Sequence, residues 1–452
     1  MSTPGLARTA ATAGPTFADV NRDVARTLTP PGDLYFGWMC IVGLILTAGI
    51  IAWAGQIWWG MGMAGKRTPE MWAMYITTFV FWIGIGHAGT LISAILYLFR
   101  ARWRTSIYRG AEAMTVFAVM TAGLFPLIHA GRMWFAYWLL PYPNQRYLWP
   151  NFRSPLVWDV FAISTYLTIS VVFFCVGLFP DIAALRDMST GWRKRIYSIL
   201  ALGWEGSDGQ WRHYLRAYGL LAALATPLVL SVHSVVSWDF AMALVPGWHS
   251  TLFAPFFVDG AIFSGFAMVL VLIIPMRHFF NLRPYLTDRH LDAMAKLILV
   301  TSLVLSYFYV CEAFTAWYSG EHFEKASLFA RATRQYAWSF WLQYFCNSVV
   351  PLVLFWRRAR THVPTLYVVS IFVLIGMWFE RFNIIVPGLA HDFYPYTWGT
   401  YFPTVTDTMI IIASFAWFLI LFLACIRVLP SVSIVEVKET LPHPFKTRPV
   451  GH

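Results

Sequence analysis

The stretch AEAMTVFAVMTAGLFPLIHAGRMWFAYWL, residues 111–139, decides the fold. It is longer than the ~20 residues that carry a helix across ~30 Å of hydrocarbon, and Glu112, His129 and Arg132 are its only acidic, basic or imidazole side chains. Nine similar runs lie near residues 36–58, 71–99, 155–180, 214–245, 252–275, 291–317, 335–356, 364–387 and 405–428. The 452 residues are 58% hydrophobic and 12% charged, where a soluble chain carries about 25% charged residues. The reading is an all-α polytopic membrane protein with ten transmembrane helices.

The net charge of +11 does not indicate nucleic acid, because the basic residues cluster in short loops between apolar runs. Arg100, Arg102, Arg104 and Arg109 fill the second loop, and Arg186, Arg193, Lys194, Arg195 and Arg212 the fourth. Arg277, Arg283 and Arg289 follow in the sixth, and Arg357, Arg358 and Arg360 in the eighth, whereas 246–251 and 388–404 hold none. The positive-inside rule then places both termini and the even loops in the cytoplasm of a bacterial inner membrane protein. The first ~33 residues have no apolar core and read as a polar tail, not a cleaved signal peptide.

Helix 5 ends WDFAMALVPG at Trp238–Gly247, and helix 9 ends WFERFNIIVPG at Trp378–Gly388. Helix 3 carries HAGRMW from His129 and helix 7 EAFTAW from Glu312; helices 2 and 6 share glycine spacing in GIGHAG from Gly84 and GAIFSG from Gly260. Four helices separate each pair, which predicts two pseudo-repeated four-helix bundles, helices 2–5 and 6–9, flanked by helices 1 and 10. The expected segments are a polar cytoplasmic tail at 1–33, flanking helix 1 at 34–60, the first bundle at 61–250, the second at 251–390, and helix 10 with a cytoplasmic tail at 391–452.

An ionisable side chain in hydrocarbon is costly and points to function. His129, expected about ten residues inside the outer end of helix 3, and Asp159, one turn inside helix 4, combine an imidazole with a carboxylate and so can exchange protons near neutral pH. Arg132 shares a helix face with His129, and an Arg132–Asp159 ion pair is the purely structural alternative. His233, Asp239, Asp259, Glu312, Glu380 and Arg381 are expected in the outer half, and His87 near the midplane. These are candidates for a proton path, with interfacial snorkelling of Asp239, Glu380 and Arg381 and simple packing of His87 as the plain readings.

The five cysteines, Cys40, Cys175, Cys311, Cys346 and Cys425, lie in apolar runs without ligand spacing, so no iron–sulfur cluster or metal site is expected. A b-type haem needs two histidines at matched depth on facing helices, and His87, His129 and His233 sit one per helix at differing depths. A proton or solute transporter is the other alternative; only Pro126 and Pro227 mildly interrupt a helix centre.

The motifs GIGHAGTLISAIL from Gly84, PLIHAGRMW from Pro126 and PNQRYLWPNFRSPLVWD from Pro143 resemble the NrfD/PsrC family of quinol-interacting membrane subunits. Within it they look most like the ActC-type large membrane subunit of alternative complex III. The resemblance implies a haem-free subunit oxidising menaquinol to menaquinone near the periplasmic face, with His129 and Asp159 at the quinol and Arg132 beside them. It implies a periplasmic iron–sulfur partner docked on the loop around Trp149 and Arg153, multihaem cytochrome c subunits, and a second NrfD-type membrane subunit, with proton translocation as an option. Only the first bundle combines His with Asp, since Glu312 and Ser339 stand at the corresponding places in the second; one quinol site is therefore expected.

Overall fold

The computed structural model describes residues 16–26, 28, 32–144, 146–391, 393–394, 396 and 398–441. Among them ten helices are long and apolar enough to cross a membrane: Asp33–Trp59, Ala73–Leu98, Tyr108–His129, Pro155–Met188, Asp208–Ala241, Phe253–Phe279, Asp288–Tyr318, Ala337–Phe355, Val363–Ala390 and Val405–Val428. They are numbered spans 1 to 10 below. Large apolar side chains exposed in mid-span, such as Leu44, Leu220 and Val310, form the hydrocarbon-facing surface of a multi-pass membrane protein.

Span 2 packs on spans 3, 6 and 9, and span 6 on spans 2, 5, 7 and 9, so these two helices form the centre. Spans 4 and 5 close one group around span 2, spans 7, 8 and 9 close another around span 6, and spans 1 and 10 pair and rest against span 3. Glycines allow the closest approaches. A Cβ on Gly89 of span 2 would overlap the Ala111 carbonyl and the Thr115 side chain of span 3, and one on Gly265 of span 6 would overlap Ala88. Gly89→Val is therefore expected to lower stability by about 1–3 kcal/mol through overpacking, read as a lower melting temperature of the detergent-solubilised protein.

The third span is shorter than its apolar run. It ends at His129, and Gly131, at φ +79°, turns the chain before a 3₁₀ helix over Met133–Leu139. Apolarity extends past the helix, but the left-handed glycine ends it. His129 thus stands at the helix end and not ten residues inside it.

The polar terminal segments are partly folded: Phe17–Arg26 buries Val20 and Val24 and packs on Ile434–Thr440. The remaining tail residues, 1–15, 27, 29–31 and 442–452, lie outside the described residues. Asp181 of span 4 accepts hydrogen bonds from the Ile434 and Val435 amides (3.0 and 3.2 Å), and Arg104 pairs with Glu436 at 2.9 Å. These contacts tie the chain's last described helix to the end of the bundle where span 1 begins.

Candidate functional site

At the opposite end, a cavity of about 390 Å³ lies between the segment after span 1 and the end of span 3, lined by Met61, Gly62, Lys66, Met71, Trp72 and His129. Its size falls in the range of small-molecule sites. Lys66 Nζ lies 2.7 Å from His129 Nδ1 and donates to the His129 carbonyl at 3.3 Å. It also sits 4.7 Å from the centre of the Tyr75 ring. Burial pushes the Lys66 ammonium down to about 7, against the opposing pull of Asp407; loss of water disfavours its charged form. Lys66 can therefore give up or take a proton near neutral pH.

Behind Lys66, Asp407 Oδ2 accepts from the Gly65 amide (2.8 Å), the Tyr401 hydroxyl (2.9 Å) and the Thr404 amide (3.1 Å). This network holds the Lys66 segment against the first turn of span 10. Gln56 of span 1 bridges the other side, donating to the Ile128 carbonyl at 3.0 Å and accepting from the Tyr75 hydroxyl at 2.6 Å. His129 Nε2 has no hydrogen-bond partner among the described residues, and His129 itself is part-exposed at the cavity.

The structure gives His129 and Asp159 different neighbours. No hydrogen bond joins them among the described residues; the buried carboxyl of Asp159 instead faces that of Asp239 on span 5. None of the four carboxyl oxygens has another hydrogen-bond partner among the described residues. Arg132 is exposed, and no ion pair among the described residues links it to Asp159. It stands beyond the end of span 3, so the helix-face spacing that would join it to His129 does not apply.

The other candidates fall into three groups. His87 and His233 meet edge to face, with ring centres 4.5 Å apart, and His87 stacks on Tyr166 at 5.0 Å. Rings this close leave no room for a porphyrin between them. His87 Nδ1 is held by the Ile83 carbonyl at 2.6 Å, whereas neither ring nitrogen of the fully buried His233 has a partner among the described residues. Glu380 is buried with Arg381 at 3.2 Å and hydrogen-bonds Tyr309, while Arg381 stacks 4.2 Å from the centre of Phe257. Asp259 is close enough to Glu380 for their charges to interact. Glu312 is paired with Arg331 at 2.7 Å. Glu380 and Arg381 are wholly inside the bundle, so neither snorkels.

Lys66, Gln56 and Asp407 do not stand out in the sequence. A lysine in an odd-numbered loop, where the positive-inside pattern leaves few basic residues, and an amide inside the apolar run of span 1 are the available signals. At the end of the bundle nearer the termini, Arg109 is buried against Asp181 (2.7 Å) and Glu112 (3.2 Å), with the Tyr218 hydroxyl donating to Glu112 at 3.2 Å. Among the described residues no three His, Cys, Asp or Glu side chains converge to hold a metal ion.

Ten apolar spans among the described residues, packed around buried ionisable side chains, define a polytopic helical membrane protein. The chain matches the family described as polysulphide reductase, NrfD, over residues 62–391, and it belongs to that family. It is 25% identical over 427 residues, 88% of this chain and 92% of the relative, to a putative dimethyl sulfoxide reductase membrane subunit of Halobacterium salinarum. It is also 24% identical over 249 residues, 53% of this chain and 55% of the relative, to a selenate reductase subunit of Mesobacillus selenatarsenatis.

Proposed function

We propose that this chain is the quinol-binding and quinol-oxidising membrane subunit of an electron-transfer complex, with the quinol head in the Lys66–His129 cavity. The observation that carries the reading is a part-exposed imidazole hydrogen-bonded to a lysine poised near neutral pH, beside a cavity of ligand size at a membrane-span end. The names of the two relatives, both subunits of reductases, support a role in delivering electrons from the bilayer to a soluble partner. We place this end at the periplasmic face of a bacterial inner membrane, as the loop charges suggest.

Two protons and two electrons leave a quinol on oxidation. His129 Nε2 accepts one hydroxyl proton while the Nδ1 hydrogen passes to neutral Lys66, and Asp407 steadies the ammonium that forms. We assign the second proton to the Asp159–Asp239 pair, whose carboxyl oxygens have no other hydrogen-bond partner among the described residues. The electrons go to an iron–sulfur partner docked on the exposed aromatic loop that includes Tyr147, Leu148 and Trp149. In the alternative complex III arrangement that this loop motif resembles, multihaem cytochromes c and a second NrfD-type subunit lie beyond, and menaquinol is the donor. His87, His233, Asp259, Glu380 and Arg381 are the candidate residues of a proton path.

The test is the pH profile of quinol oxidation by the intact complex. Neutral Lys66 is the accepting form, so the rate is expected to rise as pH increases through about 7 and to level off above it. Lys66→Arg, which cannot lose its proton in this range, should abolish that rise. A profile that Lys66→Arg leaves unchanged refutes the assignment.

A further inference from the structure

Beside the Lys66–His129 cavity, a second one of about 220 Å³ lies between spans 1, 3 and 10. Its walls are apolar, formed chiefly by Leu46, Ile50 and Trp53 of span 1, Leu124 and Ile128 of span 3, and Trp417 of span 10. The two cavities have no lining residue in common; the end of span 3 stands between them, with Ile128 lining one and its neighbour His129 the other. Gln56 fixes that end through its bonds to the Ile128 carbonyl and Tyr75.

We propose that this second cavity holds the first isoprenoid units of the quinol tail, and that the gap between spans 1, 3 and 10 is the passage from the bilayer to the headgroup cavity. The inference rests on the proposed function and extends it to substrate form and route. From Trp53 to Leu46 the cavity follows span 1 for seven residues, about 10 Å of helix, away from His129 and towards the membrane interior. A polyprenyl chain attached to a head beside His129 must leave in that direction to remain in hydrocarbon. Ile50, at 53% exposed, opens the cavity sideways to lipid.

The chemistry of the walls favours an isoprenoid over a saturated acyl chain. The indole N–H groups of Trp53 and Trp417 are buried without hydrogen-bond partners among the described residues. An isoprenoid double bond offers such a donor a weak π acceptor, which a saturated chain lacks. Ile128 and His129 are consecutive residues, so a head beside His129 and a chain beside Ile128 belong most simply to one molecule, as an unrelated lipid would gain nothing from ending at Ile128.

The experiment compares a naphthoquinone bearing four isoprene units with its tailless analogue, using the full-length chain in detergent at a fixed micelle concentration. Dissociation constants are read from quenching of tryptophan fluorescence. The wild-type chain should bind the tailed quinone at least about tenfold more tightly than the tailless one. Leu124→Trp, which fills the cavity, should remove that advantage while leaving tailless binding within about twofold. Ile50→Phe should act in the same way and decides the matter if Leu124→Trp does not fold. Equal wild-type affinities, or a tail advantage that survives both variants, would overturn the proposal. His129→Ala separates it from the headgroup reading: that reading fails if tailless binding is unchanged, whatever the tail advantage shows.

Discussion

Lys66→Met and His129→Ala are each expected to lower quinol oxidation by the intact complex by about 10²- to 10⁴-fold, the usual worth of a positioned acid or base. The two side chains are in contact at 2.7 Å and act in series in the proposed mechanism, so the double variant should be little worse than either single one. Lys66→Arg separates charge from proton acceptance. It retains a cation near Asp407 and Tyr75 but removes the neutral form, and its turnover should fall with that of Lys66→Met. Full turnover with arginine would show that position 66 supplies charge alone. Partner subunits and their cofactors should be present in normal amounts, since Lys66 lies at a cavity edge and not in the helix core.

Arg109→Ala is expected to have the largest effect on stability, on the order of 3–5 kcal/mol, as for other broken buried ion pairs. Arg109 is 2% exposed and neutralises Asp181 and Glu112 at once while donating to the Gly177 carbonyl at 2.8 Å. Its removal leaves two buried carboxylates without a counter-charge. The loss extends to the helix Ile434–Thr440, because Asp181 also holds the Ile434 and Val435 amides. Melting of the detergent-solubilised chain should show the loss, and adding Asp181→Asn to Arg109→Ala should recover part of it. No recovery would mean that lost packing, not uncompensated charge, dominates.

The ten spans are legible because each apolar run exceeds the length needed to cross hydrocarbon, and the helices depart from the runs mainly at their ends. Span 3 shows why ends are harder: Met133–Leu139 is as apolar as a span but follows the left-handed turn at Gly131. Depth counted from the end of the apolar run therefore sets His129 deeper than it lies. Asp159 and Asp239 are visible as costly residues, but their contact joins spans 4 and 5 and has no signature in local spacing. The same holds for His87 with His233, which lie on spans 2 and 5.

Length and apolarity by themselves determined the ten helices that are able to cross a membrane among the described residues, since a continuous apolar run of that length satisfies its backbone in hydrocarbon as a helix. The sequence also determined which expensive side chains needed explaining. Only the tertiary structure decided their partners, because neighbours within a bundle are set by helix rotation and crossing and not by separation along the chain. It placed Lys66, from a short polar segment, on His129, and set Asp159 against Asp239 instead. A proton-active site is a matter of ångströms between helices, and that spacing is absent from any single helix's sequence.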